Sequence, residues 1–162
     1  MSRPVLQWPD KRLRTAAEPV EQITDEDRAT WDAMVEVMQA MPGVGLGANQ
    51  IGYMRALAVV DASAEYGQTI RMANPRVIHA SAKMNDHEEA SPCLPGVSAK
   101  ISRPRAVTVE FLNVNGEIKE QDFVGLWATS VQHQIDHLAG KMFFDNLSRT
   151  KRAMLLKKAA KT

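Results

Sequence analysis

SVQHQIDHLAGKMFFDNL, residues 130–147, sets His133 and His137 four residues apart in a segment whose apolar residues Val131, Ile135 and Leu138 recur with helical spacing. Side chains at i and i+4 leave one face of a helix about 5–6 Å apart at Cβ, so both imidazoles can reach a single cation. The pattern is that of the helical zinc hydrolases, H-E-x-x-H, in which two histidines hold the metal and the glutamate serves as general base. Here the residue after the first histidine is Gln134. The metal-binding half of the motif is present, and a neutral amide stands in place of the base.

Outward from this helix the chain reads as mostly β. Residues 107–112 alternate Val107, Val109 and Phe111 on one face, Asn115-Gly116 is a type I′ hairpin signal, and residues 118–124 form the partner strand. Residues 56–60 (ALAVV) read as a short buried strand, and residues 70–78 contain another, interrupted at Asn74-Pro75. Before them, Gly43, Gly45, Gly47 and Gly52 crowd into ten residues, a poor helix and a good place for close backbone approach. Gln50 in that stretch can both donate and accept, and so can orient a carbonyl. Thr24-Asp25-Glu26 looks like a helix start, followed by Trp31, Met34, Val35, Val37, Met38 and Met41 at helical spacing up to Pro42-Gly43. Pro4, Pro9 and Pro19 keep residues 1–20 loop-like. The expected class is α+β: antiparallel or mixed sheets packed around the histidine helix, in one domain spanning residues 1–162.

With 162 residues, 44% hydrophobic and 24% charged, the chain is long enough for one buried core. A net charge of +1 gives no overall attraction to a membrane or to nucleic acid, so no sequence-specific nucleic-acid binding is expected. The sequence has no run able to span a bilayer and no signal-peptide pattern. Cys93 is the sole cysteine, which excludes an internal disulfide and fits a reducing, cytoplasmic setting. Arg149, Lys151, Arg152, Lys157, Lys158 and Lys161 around Met154, Leu155 and Leu156 read as a basic terminal helix at about residues 148–160.

Three motifs in order, G-x-G-L-x-A-x-Q-x-G at residues 43–52, a cysteine segment at residues 89–96 and H-x-x-D-H-L-x-G at residues 133–140, resemble the peptide deformylases. Residues 9–20 (PDKRLRTAAEPV), Asn74-Pro75, Arg103-Pro104 and residues 144–152 (FDNLSRTKR) agree, so the resemblance runs from end to end. It implies a metal-dependent hydrolase that removes the formyl group from the N-terminal methionine of nascent chains. The family's metal is a divalent ion, iron(II) in the cell with zinc or nickel able to substitute, held by one cysteine and two histidines. By that likeness His133 and His137 are ligands, Gln50 helps bind the oxyanion, and Gly45, Leu46 and Ile51 lie near the substrate backbone and methionine pocket. The basic tail is similar to the segment through which deformylases are thought to meet the ribosome.

Two departures qualify the likeness. The family has glutamate where Gln134 stands, and an amide cannot take and deliver a proton near neutral pH. It can still hydrogen-bond a substrate carbonyl or water. The family's cysteine segment reads E-G-C-L-S-x-P-G, whereas this chain reads Glu89-Ala90-Ser91-Pro92-Cys93-Leu94-Pro95-Gly96. A gapless match puts Ser91 at the ligand position and Pro92, which lacks an N–H, at the oxyanion donor. Matching Cys93-Leu94 instead restores the thiolate and the Leu94 amide, at the cost of a two-residue insertion and a compensating deletion. If the segment is extended, Ser91 and Cys93 share a side, and the expected ligand set is Cys93, His133 and His137. A buried, inert Cys93 is the plainer alternative. The expected functions are deformylation of formyl-methionyl peptides, non-catalytic binding of such N-termini, or docking at the ribosome through the basic helix.

Overall fold

Thr24 caps the first helix as the sequence predicts. Its hydroxyl accepts from the Asp27 N–H (3.1 Å) while the Asp27 carboxylate accepts from the Thr24 N–H (2.9 Å), a capping box that starts α1 (Asp25–Ala40). A computed structural model describes residues 4–161. After α1 come β1 (Gly45–Gly47), β2 (Leu57–Val60), β3 (Ile70–Ala80), β4 (Met84–Ser91), β5 (Leu94–Pro104), β6 (Ala106–Leu112), β7 (Ile118–Val124), α2 (Leu126–Leu138) and α3 (Arg149–Ala159). The α+β expectation holds. A five-stranded sheet runs in the order β1-β2-β3-β6-β7, and β4 and β5 form a separate hairpin, with every strand pair antiparallel.

The core comprises three apolar clusters, one of which takes in α2. Trp31, Met34 and Met38 of α1 pack on Leu46, Leu57 and Val59. Ala128 and Val131 of α2 pack on Val60, Met72, Val109 and Phe123 of the large sheet. Leu13, Cys93, Leu94, Val97, Ile101 and the run Met142–Phe144 form a third cluster, joined by Leu155 and Leu156 of α3. Apart from its termini α2 is buried on nearly every side, from Ala128 to Gln134. That explains why its histidines sit at restricted, well-packed positions.

Two local readings are corrected. The strand after residue 70 is not broken at Asn74-Pro75: β3 continues through it, with Asn74 at φ 51° and a register shift between Ala73 and Arg76. Asn tolerates that left-handed backbone, and its side chain bridges the N–H and C=O of Val20, both at 2.7 Å. The β6–β7 connection is a hairpin but not a type I′ turn. Only Gly116 has positive φ (79°), and the Gly116 N–H bonds back to the Asn113 carbonyl at 2.9 Å, a turn closed by a left-handed glycine. The β4–β5 hairpin has no expectation to answer to, because its alternation is largely polar (MNDHEEAS).

Candidate active site

Glu89 on β4 organises the site. Its carboxylate accepts from Arg103 of β5 through Nε (2.7 Å) and Nη2 (3.0 Å), and Oε1 lies 2.9 Å from Nδ1 of His133. Arg103 also donates to Asp136 on α2 (2.8 Å), so the hairpin is clamped to the helix by buried charge. Burial pushes the Glu89 carboxyl up, but the His133 and Arg103 hydrogen bonds outweigh it and hold it below the usual range. The ionised Glu89 thereby fixes the His133 ring with Nε2 directed away, the orientation a carboxylate imposes on a ligating histidine.

His137 is buried one turn away, its ring 4.8 Å from that of His133. Burial, with the nearby His133 and Arg103, keeps it well below the ordinary imidazole range, so it is neutral. Its Nε2 lies 3.3 Å from the Ser91 hydroxyl, its Nδ1 has no hydrogen-bond partner, and its carbonyl accepts from Asn49 at 2.6 Å.

These groups open into a cleft of about 390 Å³ between the Gly43–Gly45 stretch, the end of β4 and one face of α2. Gly45, Gln50, His133 and Gln134 line it, as do Glu88, Ser91, Pro92, Thr129 and Ser130. A Cβ at Gly45 would come within 2.6 Å of Gln134 Nε2 and 2.7 Å of Ser130 Oγ, so any larger residue there displaces these two side chains of α2. Ser130 ties the same stretch down by donating to the Val44 carbonyl at 2.7 Å. Gln134 is 4% exposed, and its Oε1 has no hydrogen-bond partner. Gln50 accepts from the Gly47 N–H (2.8 Å) and turns its amide nitrogen toward Cys93 Sγ (3.4 Å).

The set Cys93, His133 and His137 is not assembled. Among the described residues no three His, Cys, Asp or Glu side chains gather into a group able to hold a metal ion. Ser91 pairs with Leu94 across the hairpin, so Pro92-Cys93 is the two-residue turn and the alternation that would keep Ser91 and Cys93 on one side stops at Ser91. Cys93 turns instead into the third apolar cluster, 1% exposed, and Leu94 follows it. Burial raises the Cys93 thiol, with the Gln50 and Ser91 hydrogen bonds offsetting part of the rise, so it stays protonated at neutral pH. A serine hydroxyl beside His137 is a neutral oxygen where the family uses a thiolate, and the residues present do not fit the family's metal. Leu46 and Ile51 also face away from the cleft, into the cluster around Trp31.

The Glu89–Arg103–Asp136 clamp was not expected as a unit. Glu89 and Arg103 belong to the two strands of one hairpin but are not opposite each other, Glu89 pairing with Ala99 and Arg103 with Asn85, so the pair forms only because the long guanidinium reaches along the hairpin.

The sequence profile of the polypeptide deformylases matches residues 2–153. A peptide deformylase of Teredinibacter turnerae is 40% identical over 158 residues, covering 98% of this chain and 94% of that one. The Ehrlichia chaffeensis peptide deformylase in complex with actinonin superposes with a TM-score of 0.93 at 33% identity, covering 99% of this chain and 98% of that one. The Met-Ala-Ser-bound class I type b peptide deformylase of Acinetobacter baumannii gives a TM-score of 0.85 at 28% identity, over 91% and 99% of the two chains. With profile, relatives and fold in agreement along nearly its whole length, the chain belongs to the peptide deformylase family of metal-dependent hydrolases.

Proposed function

We propose that the cleft receives the N-terminal end of formyl-methionyl peptides, and that its reaction class is hydrolysis of the formyl amide with a strongly attenuated chemical step. One observation carries the reading: the edge of β1 not paired with β2 meets the His133–Gln134 face of α2 in a single cleft. An open strand edge can take an extended peptide by main-chain hydrogen bonds, while the adjoining pocket receives its first residue. Gln50 retains an amide N–H group near the end of β4, suited to a formyl oxygen. Pro92 supplies no N–H there.

The attenuation follows from two neutral groups. Gln134 cannot move a proton, and general acid–base catalysis is typically worth about 10²–10⁴-fold. Ser91 in place of a thiolate weakens the hold on iron(II), zinc or nickel. A divalent metal, were His133 and His137 to hold one, would supply polarisation of the formyl carbonyl and activation of a water. What this chain's own residues retain is the capacity to bind and orient the peptide.

The natural setting of this reading is the cytoplasm. Among the described residues no helix is long and apolar enough to cross a membrane. Basic residues of α3 (Arg149, Lys151, Lys157 and Lys158), exposed on the surface, suit docking against ribosomal RNA near emerging chains. The test is calorimetric titration with formyl-Met-Ala-Ser beside a formate-release assay. Saturable binding with slow or undetectable formate release is expected. Absence of peptide binding would refute the reading, and rapid turnover would refute the attenuation.

A further inference from the structure

We propose that Glu88 makes the mouth of this cleft select peptides with a lysine or arginine at the second or third position over those with an acidic residue there. The inference rests on the peptide-binding reading above and names the side chain that ranks one peptide above another.

The cleft has a closed end and an open one. Gln50, Ser91 and Gln134 are buried at the first, whereas Pro42, Glu88 and Leu126 are exposed at the second. A peptide whose first residue sits at the closed end therefore leaves past Glu88. On β4, Glu88 comes three residues before Ser91, about 10 Å by strand rise. With the formyl carbon beside Ser91, an extended peptide has its first Cα about one residue along and its third level with Glu88. A lysine or arginine at the second position spans the remaining step with its flexible stem.

Glu88 is the carboxylate free to meet such a residue. Among the described residues no lysine or arginine lines the cleft, and its two carboxyl groups are those of Glu88 and Glu89. Glu89 is committed to Arg103 and His133. Glu88 enters no ion pair among the described residues. Ser98 donates to it at 3.0 Å, which steadies the carboxylate without neutralising it. Lys100 pairs opposite it on β5 but lies exposed, outside the cleft lining. Two helix poles flank the opening and oppose each other: the C-terminal end of α1 at Met41, with no basic residue in its last turn, and the first turn of α2 at Leu126, with no acidic one. The full charge of Glu88 therefore sets the field that an arriving side chain meets. A rim charge of this kind acts on association and is screened by salt.

The test titrates formyl-Met-Ala-Ser, formyl-Met-Lys-Ser and formyl-Met-Ala-Lys, with the glutamate analogues of the last two, into the full-length protein at neutral pH. In about 10 mM salt at least one lysine peptide should bind about two- to fivefold more tightly than formyl-Met-Ala-Ser, the range for one exposed ion pair, and its glutamate analogue more weakly. The difference should vanish in about 1 M salt, where the screening length falls to about 3 Å. Glu88→Gln should bring the lysine and glutamate peptides to a common affinity, and Glu88→Lys should reverse their order. Equal affinities in about 10 mM salt, or a lysine preference unmoved in Glu88→Gln, would overturn the assignment while leaving the peptide-binding reading intact. Binding of none of the peptides would overturn both.

Discussion

Ser91→Cys is the perturbation that most directly tests the reading of the site. Ser91 Oγ stands 3.3 Å from His137 Nε2, and His133 is turned to present its free nitrogen by Glu89 at 2.9 Å, so a sulfur at position 91 would complete two imidazoles with a third, anionic donor. Loss of an outer-shell partner typically costs 10–100-fold in metal affinity, so gaining a direct thiolate ligand should raise affinity by at least about 100-fold. The assay is cobalt(II) titration under anaerobic conditions, read by absorption, followed by gel filtration and elemental analysis. Wild-type protein should emerge with well under one equivalent and no sulfur-to-cobalt charge-transfer band. Ser91→Cys should retain about one equivalent, show the band, and release a proton as the thiol ionises. Cys93→Ala should change neither result, because that thiol faces the apolar cluster. A wild-type protein that keeps one equivalent and shows a thiolate band lost in Cys93→Ala would refute this account and restore the other register.

The packing predictions concern neighbouring parts of the fold. Gly45→Ala forces Gln134 and Ser130 to give way at 2.6 and 2.7 Å, and should lower stability in urea by about 1–3 kcal/mol while weakening peptide binding. Asp27 is fully buried beneath Arg55 (2.8 Å), Tyr53 (2.7 Å) and the Thr24 N–H; burial raises its carboxyl, but those partners hold it well below the ordinary 3.8. Because the folded value is the lower one, its contribution is complete above pH 3.8 and is lost as pH falls through the folded value. Asp27→Asn should therefore cost about 1–3 kcal/mol at pH 7, with the loss shrinking in acid, as followed by thermal melts against pH. If α3 docks on ribosomal RNA, sedimentation with ribosomes should fall steeply between 50 and 200 mM salt, by about 10²-fold for four phosphate contacts, and a salt-insensitive association would contradict it.

Much of this protein is determined by short-range pattern. The capping box and apolar spacing that make α1, the alternation in β6, and the i, i+4 histidines of α2 are properties of neighbouring residues, and the structure reproduces them. The family was legible for the same reason, since its motifs are read in place. The sequence leaves two registers open for the cysteine segment, and what separates their side chains in space is the local fold of the hairpin. Pairing Ser91 with Leu94 makes Pro92-Cys93 a turn, which sends the sulfur into the core and leaves a hydroxyl beside His137. Leu46 and Ile51, which the motif places near the substrate backbone and methionine pocket, send their side chains into the cluster around Trp31, because a buried side chain goes where apolar partners already stand. The Glu89–Arg103–Asp136 clamp joins residues from both strands of a hairpin and from a helix. Such contacts depend on which strand lies beside which, and that is a property of the packed chain rather than of any one segment.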